Sequence, residues 1–158
     1  MNNQVEYLTP EGFVELENQL KHLREVRRAE VAERLRQAME EGGDLSENAE
    51  YEDAKNEQAF IEGNILRLES ILSSAQIIEN GNGKHDHVVV GAHVTVQEKG
   101  SSDKEVYHLV GSAEADPAEG KISVESPLGK ALLGAKVKDE VRVHAPAGEI
   151  LFVIKAIK

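Results

Sequence analysis

The chain has 158 residues and a formal net charge of −11, from 18 basic and 29 acidic side chains, with 40% hydrophobic and only 4% aromatic residues. The length suits one domain or two small ones, and the absence of cysteine excludes thiol catalysis, zinc–thiolate sites and disulfides, as suits a reducing cytoplasm. No apolar run approaches the ~20 residues of a membrane span, no signal peptide is expected before Thr9, and the negative balance excludes simple coating of nucleic acid.

Thr9-Pro10-Glu11 reads as a helix start, with Thr9 as N-cap, proline at the first helical position and an acid in the first turn. Phe13, Leu16, Leu20 and Leu23 recur at helical spacing, and Val31, Leu35 and Ala38 or Met39 continue the stripe after a drift near Arg27. A second stripe runs through Tyr51, Ala54, Gln58, Ile61, Ile65, Leu68, Leu72 and Ala75, a coiled-coil seam with one polar position. Each segment is about 30 residues, or roughly 45 Å of helix at 1.5 Å per residue. Gly42-Gly43-Asp44 supplies a short, permissive break, so an antiparallel helical hairpin is expected.

The charge is concentrated in that hairpin. Residues 1–79 carry 18 acids and 8 bases, against 11 acids and 10 bases in 80–158. Residues 37–54 hold Glu40, Glu41, Asp44, Glu47, Glu50, Glu52 and Asp53 and no base, which places seven acids at the tip of a rod. Asp44 and Glu47 are three apart at a helix start and can point off the tip together. Two such carboxylates can hold a divalent cation or position a water, although Mg²⁺ would bind weakly unless another macromolecule completed its ligands. The same Asp-x-x-Glu spacing also reads as a capping box, and acids there suit the helix dipole by about 0.3–1 kcal/mol each. Capping accounts for two acids and leaves the density of seven unexplained. The Arg and Lys residues of the first helix read as a solvated face paired with Glu25, Glu30 and Glu33, or more weakly as a contact with RNA or a polymerase wall.

Asn80-Gly81-Asn82-Gly83-Lys84 reads as a linker. Beyond it the period changes to that of strands, expected over residues 88–96, 106–110, 122–125, 137–143 and 150–157. Val137, Val141 and Val143 are expected to point inward. Ser126-Pro127 starts a short helix stopped by Gly134, and Pro146-Ala147-Gly148 forms a hairpin turn. The fold class is therefore α+β, with a helical hairpin over 1–79 and a small, mostly antiparallel-sheet domain over 80–158. His85-Asp86-His87 has no third ligand in view. No nucleotide-binding G-x-x-x-x-G-K-[ST] loop and no Ser–His–Asp arrangement is present.

Gly43-Asp44-Leu45-Ser46-Glu47-Asn48-Ala49-Glu50-Tyr51 resembles the hairpin tip of the bacterial Gre transcript cleavage and transcription elongation factors, and the chain looks GreA-like. The likeness extends over Leu8-Thr9-Pro10-Glu11-Gly12, Val26-Arg27-Arg28, Phe60-Ile61-Glu62-Gly63, Ala75-Gln76-Ile77-Ile78, Val90-Gly91-Ala92, Ser126-Pro127 and Pro146-Ala147-Gly148-Glu149. The resemblance implies a coiled-coil hairpin joined to an FKBP-like domain. It implies a cytoplasmic, monomeric accessory factor, without catalysis of its own, that enters the secondary channel of RNA polymerase and stimulates cleavage of backtracked RNA. Asp44 would help hold a second Mg²⁺ shared with the polymerase, Glu47 would orient or deprotonate the attacking water near the RNA 3′ end, and Ser126 and Pro127 would lie on the docking surface. Glu40 and Lys55 stand where family members often carry a base and an arginine, so the RNA-facing basic patch is reduced. A homologue that occludes the channel without cleavage would share the shape but vary the tip. An FKBP-like isomerase would need an aromatic pocket, for which residues 80–158 offer only Tyr107 and Phe152.

Overall fold

The computed structural model describes residues 5–78 and 85–158, so the expected linker over 80–84 lies outside the described residues. Its contacts divide the chain into two compact units, one of Met1–Gly12 with Ala75–Lys158 and one of Phe13–Ser74. The fold is α+β, as the change of period implies.

The helical unit is built by α1 (Pro10–His22), a π-helical stretch (Leu23–Arg27), α2 (Arg28–Glu40) and α3 (Ala49–Ser74). Leu16, Leu20, Val31, Leu35 and Ala38 are buried along the first arm, and Ala54, Ile61, Ile65 and Leu68 along α3. The drift near Arg27 has a physical form. The inner-face positions 16, 20, 23, 27, 31, 35 and 38 contain three successive steps of four, one residue more than a 3-4 alternation allows. The wider π turn over Leu23–Arg27 absorbs that residue. Met39, an alternative for the stripe, is 56% exposed, and Ala38 holds the inward position. The arms run antiparallel, because ion-pair partners descend on α3 as they ascend on the first arm: Arg24 with Glu69, Arg28 with Glu62, Arg34 with Glu57 and Glu50. Arg28 grips Glu62 with two bonds of 2.7 and 2.8 Å.

The other unit holds a five-stranded sheet in the order β5-β4-β3-β7-β6. Its strands are β3 (His93–Glu98), β4 (Lys104–Val110), β5 (Lys121–Ser123), β6 (Glu140–Ala145) and β7 (Gly148–Ile157). All neighbours are antiparallel except β4 and β5. Val94, Val96, Leu109, Ile122, Val141, Val143, Phe152 and Ile154 form the core with Leu132 of α4 (Pro127–Leu132). Two strand expectations are corrected. Residues 88–92 make a turn instead of strand, with the Ala92 amide bonding Val89 O at 3.1 Å and Gly91 at φ 90°. Val137 does not point inward but is 44% exposed. Lys136 to Asp139 closes a turn in which Asp139 accepts the Lys136 amide at 2.9 Å and Lys138 takes a φ of 76°, so β6 begins only at Glu140.

A second, two-stranded sheet has no counterpart in the sequence reading. β1 (Glu6–Leu8) pairs in parallel with β2 (Ala75–Ile77). Ala75, taken as the end of the helical seam, is thus a strand residue. Gly111 lets β1 approach, since a β-carbon there would overlap the carbonyl oxygen of Tyr7. Thr9 caps α1 by accepting the Gly12 amide at 3.0 Å, and is itself held by Glu114, which accepts the Thr9 amide at 2.7 Å and hydroxyl at 2.5 Å. These contacts put the residues up to Gly12 in the sheet unit, whereas chain order alone places them before a boundary at 79/80.

Candidate functional site

The acidic tip is a turn with defined geometry. Glu41 ends α2, and Gly42 and Gly43 take φ values of 75° and 98°, which an L side chain rarely adopts. Asp44 then caps a single 3₁₀ turn, Leu45–Glu47. Its Oδ1 accepts both the Ser46 amide at 2.9 Å and the Ser46 hydroxyl at 2.7 Å. These two bonds hold the Asp44 carboxyl below its ordinary range, the hydroxyl contributing most. They also leave Oδ2 without a hydrogen bond among the described residues.

The capping-box reading is corrected in part: Asp44 caps the short 3₁₀ turn, and Asn48 is the cap of α3. Asn48 Oδ1 accepts the Tyr51 amide at 3.1 Å, and its Nδ2 donates back to Ala38 O at 3.2 Å. One side chain therefore starts α3 and ties it to the end of α2. Asparagine directly before a helical run is a strong N-cap signal, and it was available in the sequence. The Glu47 carboxylate is exposed and makes no hydrogen bond or ion pair among the described residues. Of the surrounding acids, Glu40 pairs with Arg36 and Glu50 with Arg34. Among the described residues no three His, Asp or Glu side chains converge into a metal-holding group. The tip therefore offers two hard oxygen donors, Asp44 and Glu47, with one Asp44 oxygen oriented by Ser46 and the other available.

Two family models match the chain: "Transcription elongation factor, N-terminal" over residues 6–77, and "Transcription elongation factor, GreA/GreB, C-term" over residues 83–158. The chain belongs to the GreA/GreB transcription elongation factor family. It is 52% identical over 151 residues to transcription elongation factor GreA of Thermoanaerobacter pseudethanolicus, with 96% of each chain covered. It is 49% identical to GreA of Geobacillus kaustophilus, with both chains covered in full. A solved structure of the GreA factor homolog 1 (Gfh1) protein of Thermus thermophilus is 36% identical, covering 98% of this chain and 99% of that one, at a TM-score of 0.45.

The other residues that the Gre resemblance singles out sit in ordered surroundings. Ser126 is the N-cap of α4: its hydroxyl accepts the Gly129 amide at 3.0 Å and donates to Ser123 O at 2.7 Å. Pro127 follows at the exposed first helical position. Gly129 permits the helix to lie on β5, since a β-carbon there would overlap Ser123 O. The arginines of the first arm are engaged mainly by acids of α3, with Glu30, Glu33 and Glu40 as local partners. Glu25 is not among these partners. Lys55 lies 6.0 Å from the Tyr51 ring centroid. His87 pairs with Asp86 at 2.6 Å, while His93 and His108 stack at 4.0 Å on neighbouring strands. Tyr107 and Phe152 meet edge-on at 6.5 Å, with Phe152 in the core.

Proposed function

We propose that this protein is an accessory factor that passes its helical hairpin into the secondary channel of RNA polymerase and stimulates the polymerase's own cleavage of backtracked RNA. The observation that carries this reading is the tip turn. Two exposed carboxylates, Asp44 and Glu47, stand at either end of a single 3₁₀ turn at the tip of a long hairpin, with Asp44 Oδ2 making no hydrogen bond among the described residues. They amount to half a site, and among the described residues no third carboxylate or imidazole joins them.

Asp44 is the better suited to hold Mg²⁺ shared with the polymerase. Its carboxyl is kept ionised by the Ser46 hydroxyl and amide, and those bonds fix the direction of the free oxygen. The bound ion would supply charge stabilisation at the attacking and leaving oxygens of the phosphodiester. Glu47, three residues on, is free to accept a proton from the attacking water or to orient it. The double-glycine turn lets the chain reverse without a bulky side chain at the apex. Ser126 and Pro127 would contribute to docking on the polymerase, with Ser126 acting through the shape of the α4 start, because its hydroxyl is already committed to Ser123 and Gly129.

The test is a stalled, backtracked elongation complex with Mg²⁺, incubated with and without the protein. The expected result is faster shortening of the RNA from its 3′ end and resumed extension. Slower synthesis with no added cleavage would refute the reading in favour of channel occlusion.

A further inference from the structure

Residues 42–48 connect α2 to α3, and the turn that carries Asp44 and Glu47 has little to hold it from the α2 side. Gly42 and Gly43 lead into it at φ 75° and 98°, with nothing within 4 Å of where their β-carbons would stand. The side chains of Asp44 and Ser46 bond within the turn itself. Leu45 is half-buried and is the turn's only apolar side chain.

Asn48 is different. Its own amide closes the 3₁₀ turn on Leu45 O at 3.3 Å. Its carboxamide reaches both arms, with Nδ2 donating to Ala38 O at 3.2 Å and Oδ1 accepting the Tyr51 amide at 3.1 Å. Among the described residues no other side chain of 42–48 bonds to α2. Both partners belong to helix ends, where backbone groups lack intrahelical partners. The Glu41 amide bonds Gln37 O at 3.1 Å at the end of α2, so Ala38 O lies in the last, open turn, and the Tyr51 amide lies in the first turn of α3. A backbone carbonyl only accepts and a backbone amide only donates, so the bridge needs a donor and an acceptor side by side on one short stem. Asparagine supplies both. A serine hydroxyl, on a stem one atom shorter, caps the Tyr51 amide without also reaching Ala38.

We propose that Asn48 is a positioning residue for the chemistry at the tip. By bridging the two arms it fixes where Asp44 and Glu47 stand relative to both helices, and so presents Asp44 Oδ2 to the shared Mg²⁺ in one place. The inference deepens the function proposed above and rests on it. Groups that orient a metal ligand are typically worth about 10- to 100-fold in metal affinity or activity.

The test uses the full-length protein with backtracked elongation complexes, at saturating protein and varied Mg²⁺, and compares wild type with Asn48→Ser and Asn48→Ala. Asn48→Ser keeps a neutral cap, so amide-exchange protection at Tyr51 and binding to polymerase are expected to stay close to wild type. The Mg²⁺ concentration for half-maximal cleavage is expected to rise about 10- to 100-fold in Asn48→Ser, with most of the lost rate restored by added Mg²⁺. Asn48→Ala, which removes the cap as well, is expected to lose Tyr51 protection in addition. A side chain that served only to start α3 would move protection and binding and leave the Mg²⁺ dependence where it was. The positioning role is overturned if Asn48→Ser cleaves with the wild-type Mg²⁺ dependence, even where Asn48→Ala fails. It is equally overturned if cleavage by Asn48→Ser falls only in step with Tyr51 protection and binding. If the wild-type chain binds polymerase and adds no cleavage, the proposed function and the positioning role fall together.

Discussion

Removing the Glu114 carboxylate should uncouple the start of α1 from the sheet unit, and the size of the effect follows from the contacts. Thr9 is 1% exposed, and its amide and hydroxyl both donate to Glu114, at 2.7 and 2.5 Å. Glu114→Ala leaves two buried donors without partners at about 1–3 kcal/mol each, so a loss of about 2–6 kcal/mol is expected. Glu114→Gln keeps an oxygen for the amide but turns its NH2 toward the Thr9 hydroxyl, whose proton loses its acceptor, so it should cost about 1–3 kcal/mol, less than Glu114→Ala. Gly12 provides the coupling test. A β-carbon at Gly12 would overlap the Glu114 carboxylate, which the Thr9 bonds hold in place. Gly12→Ala should therefore cost about 1–3 kcal/mol in the wild type. In the Glu114→Ala background it should instead stabilise by up to about 1 kcal/mol, the helix advantage of alanine over glycine. Urea unfolding of the four chains, with amide exchange at Thr9 and Gly12, measures the cycle. Equal costs of Gly12→Ala in both backgrounds would show that the Glu114 clamp does not exist as described.

In the helical unit, Leu68→Ala removes a side chain that is 1% exposed and should cost about 2–5 kcal/mol, whereas Leu66→Ala, at 66% exposure, should stay within about 0.5 kcal/mol. Thermal loss of the helical signal reads both. Ser126→Ala should lose about 0.5–2 kcal/mol as a helix cap while Ser126→Thr keeps most of it, measured by unfolding of the sheet unit. His108 is held below its ordinary 6.5 by burial first and by His93 and Lys121 next, partly offset by Glu114 and a hydrogen bond involving the Gly91 backbone. Its Nε2 is buried and has no hydrogen-bond partner among the described residues. The unfolded chain thus takes up a proton before the folded one does. The contribution of His108 is complete above pH 6.5 and is lost as pH falls from there toward the folded value. His108→Phe, which preserves the stack on His93, should flatten that segment of the stability–pH curve. Identical slopes for the two chains would rule the effect out.

The hairpin was legible because its determinants are local and repeated. The stripes from Leu16 to Ala38 and from Ala54 to Leu68 carry the helical period, and Gly42-Gly43 marks the reversal. The sheet core was legible in the same way at Val94, Val96, Val141 and Val143. What escaped was set by tertiary contact. The β1–β2 pair is three residues against three, joined by a 66-residue excursion from Leu8 to Ala75, too short for alternation to show. The Glu114–Thr9 bonds span 105 positions and leave no periodic trace. Val137 fits the alternation of β6, but the left-handed Lys138 breaks the strand before it reaches that residue. At the tip, Asp44 and Glu47 stood out by charge density. Ser46 and Asn48, which orient one acid and start α3, are small polar residues whose roles appear only once the turn is closed.

In the function proposed above, Asp44 and Glu47 complete a metal site inside another macromolecule. The most direct measurement is the rate of RNA cleavage in backtracked complexes as a function of Mg²⁺ concentration, with wild-type and Asp44→Asn proteins at saturating binding. The wild-type protein is expected to lower the Mg²⁺ concentration needed for cleavage, whereas Asp44→Asn should bind polymerase equally well and leave the rate at the level of polymerase alone. An Asp44→Asn protein that stimulates cleavage as the wild type does, with the same Mg²⁺ dependence, would contradict it.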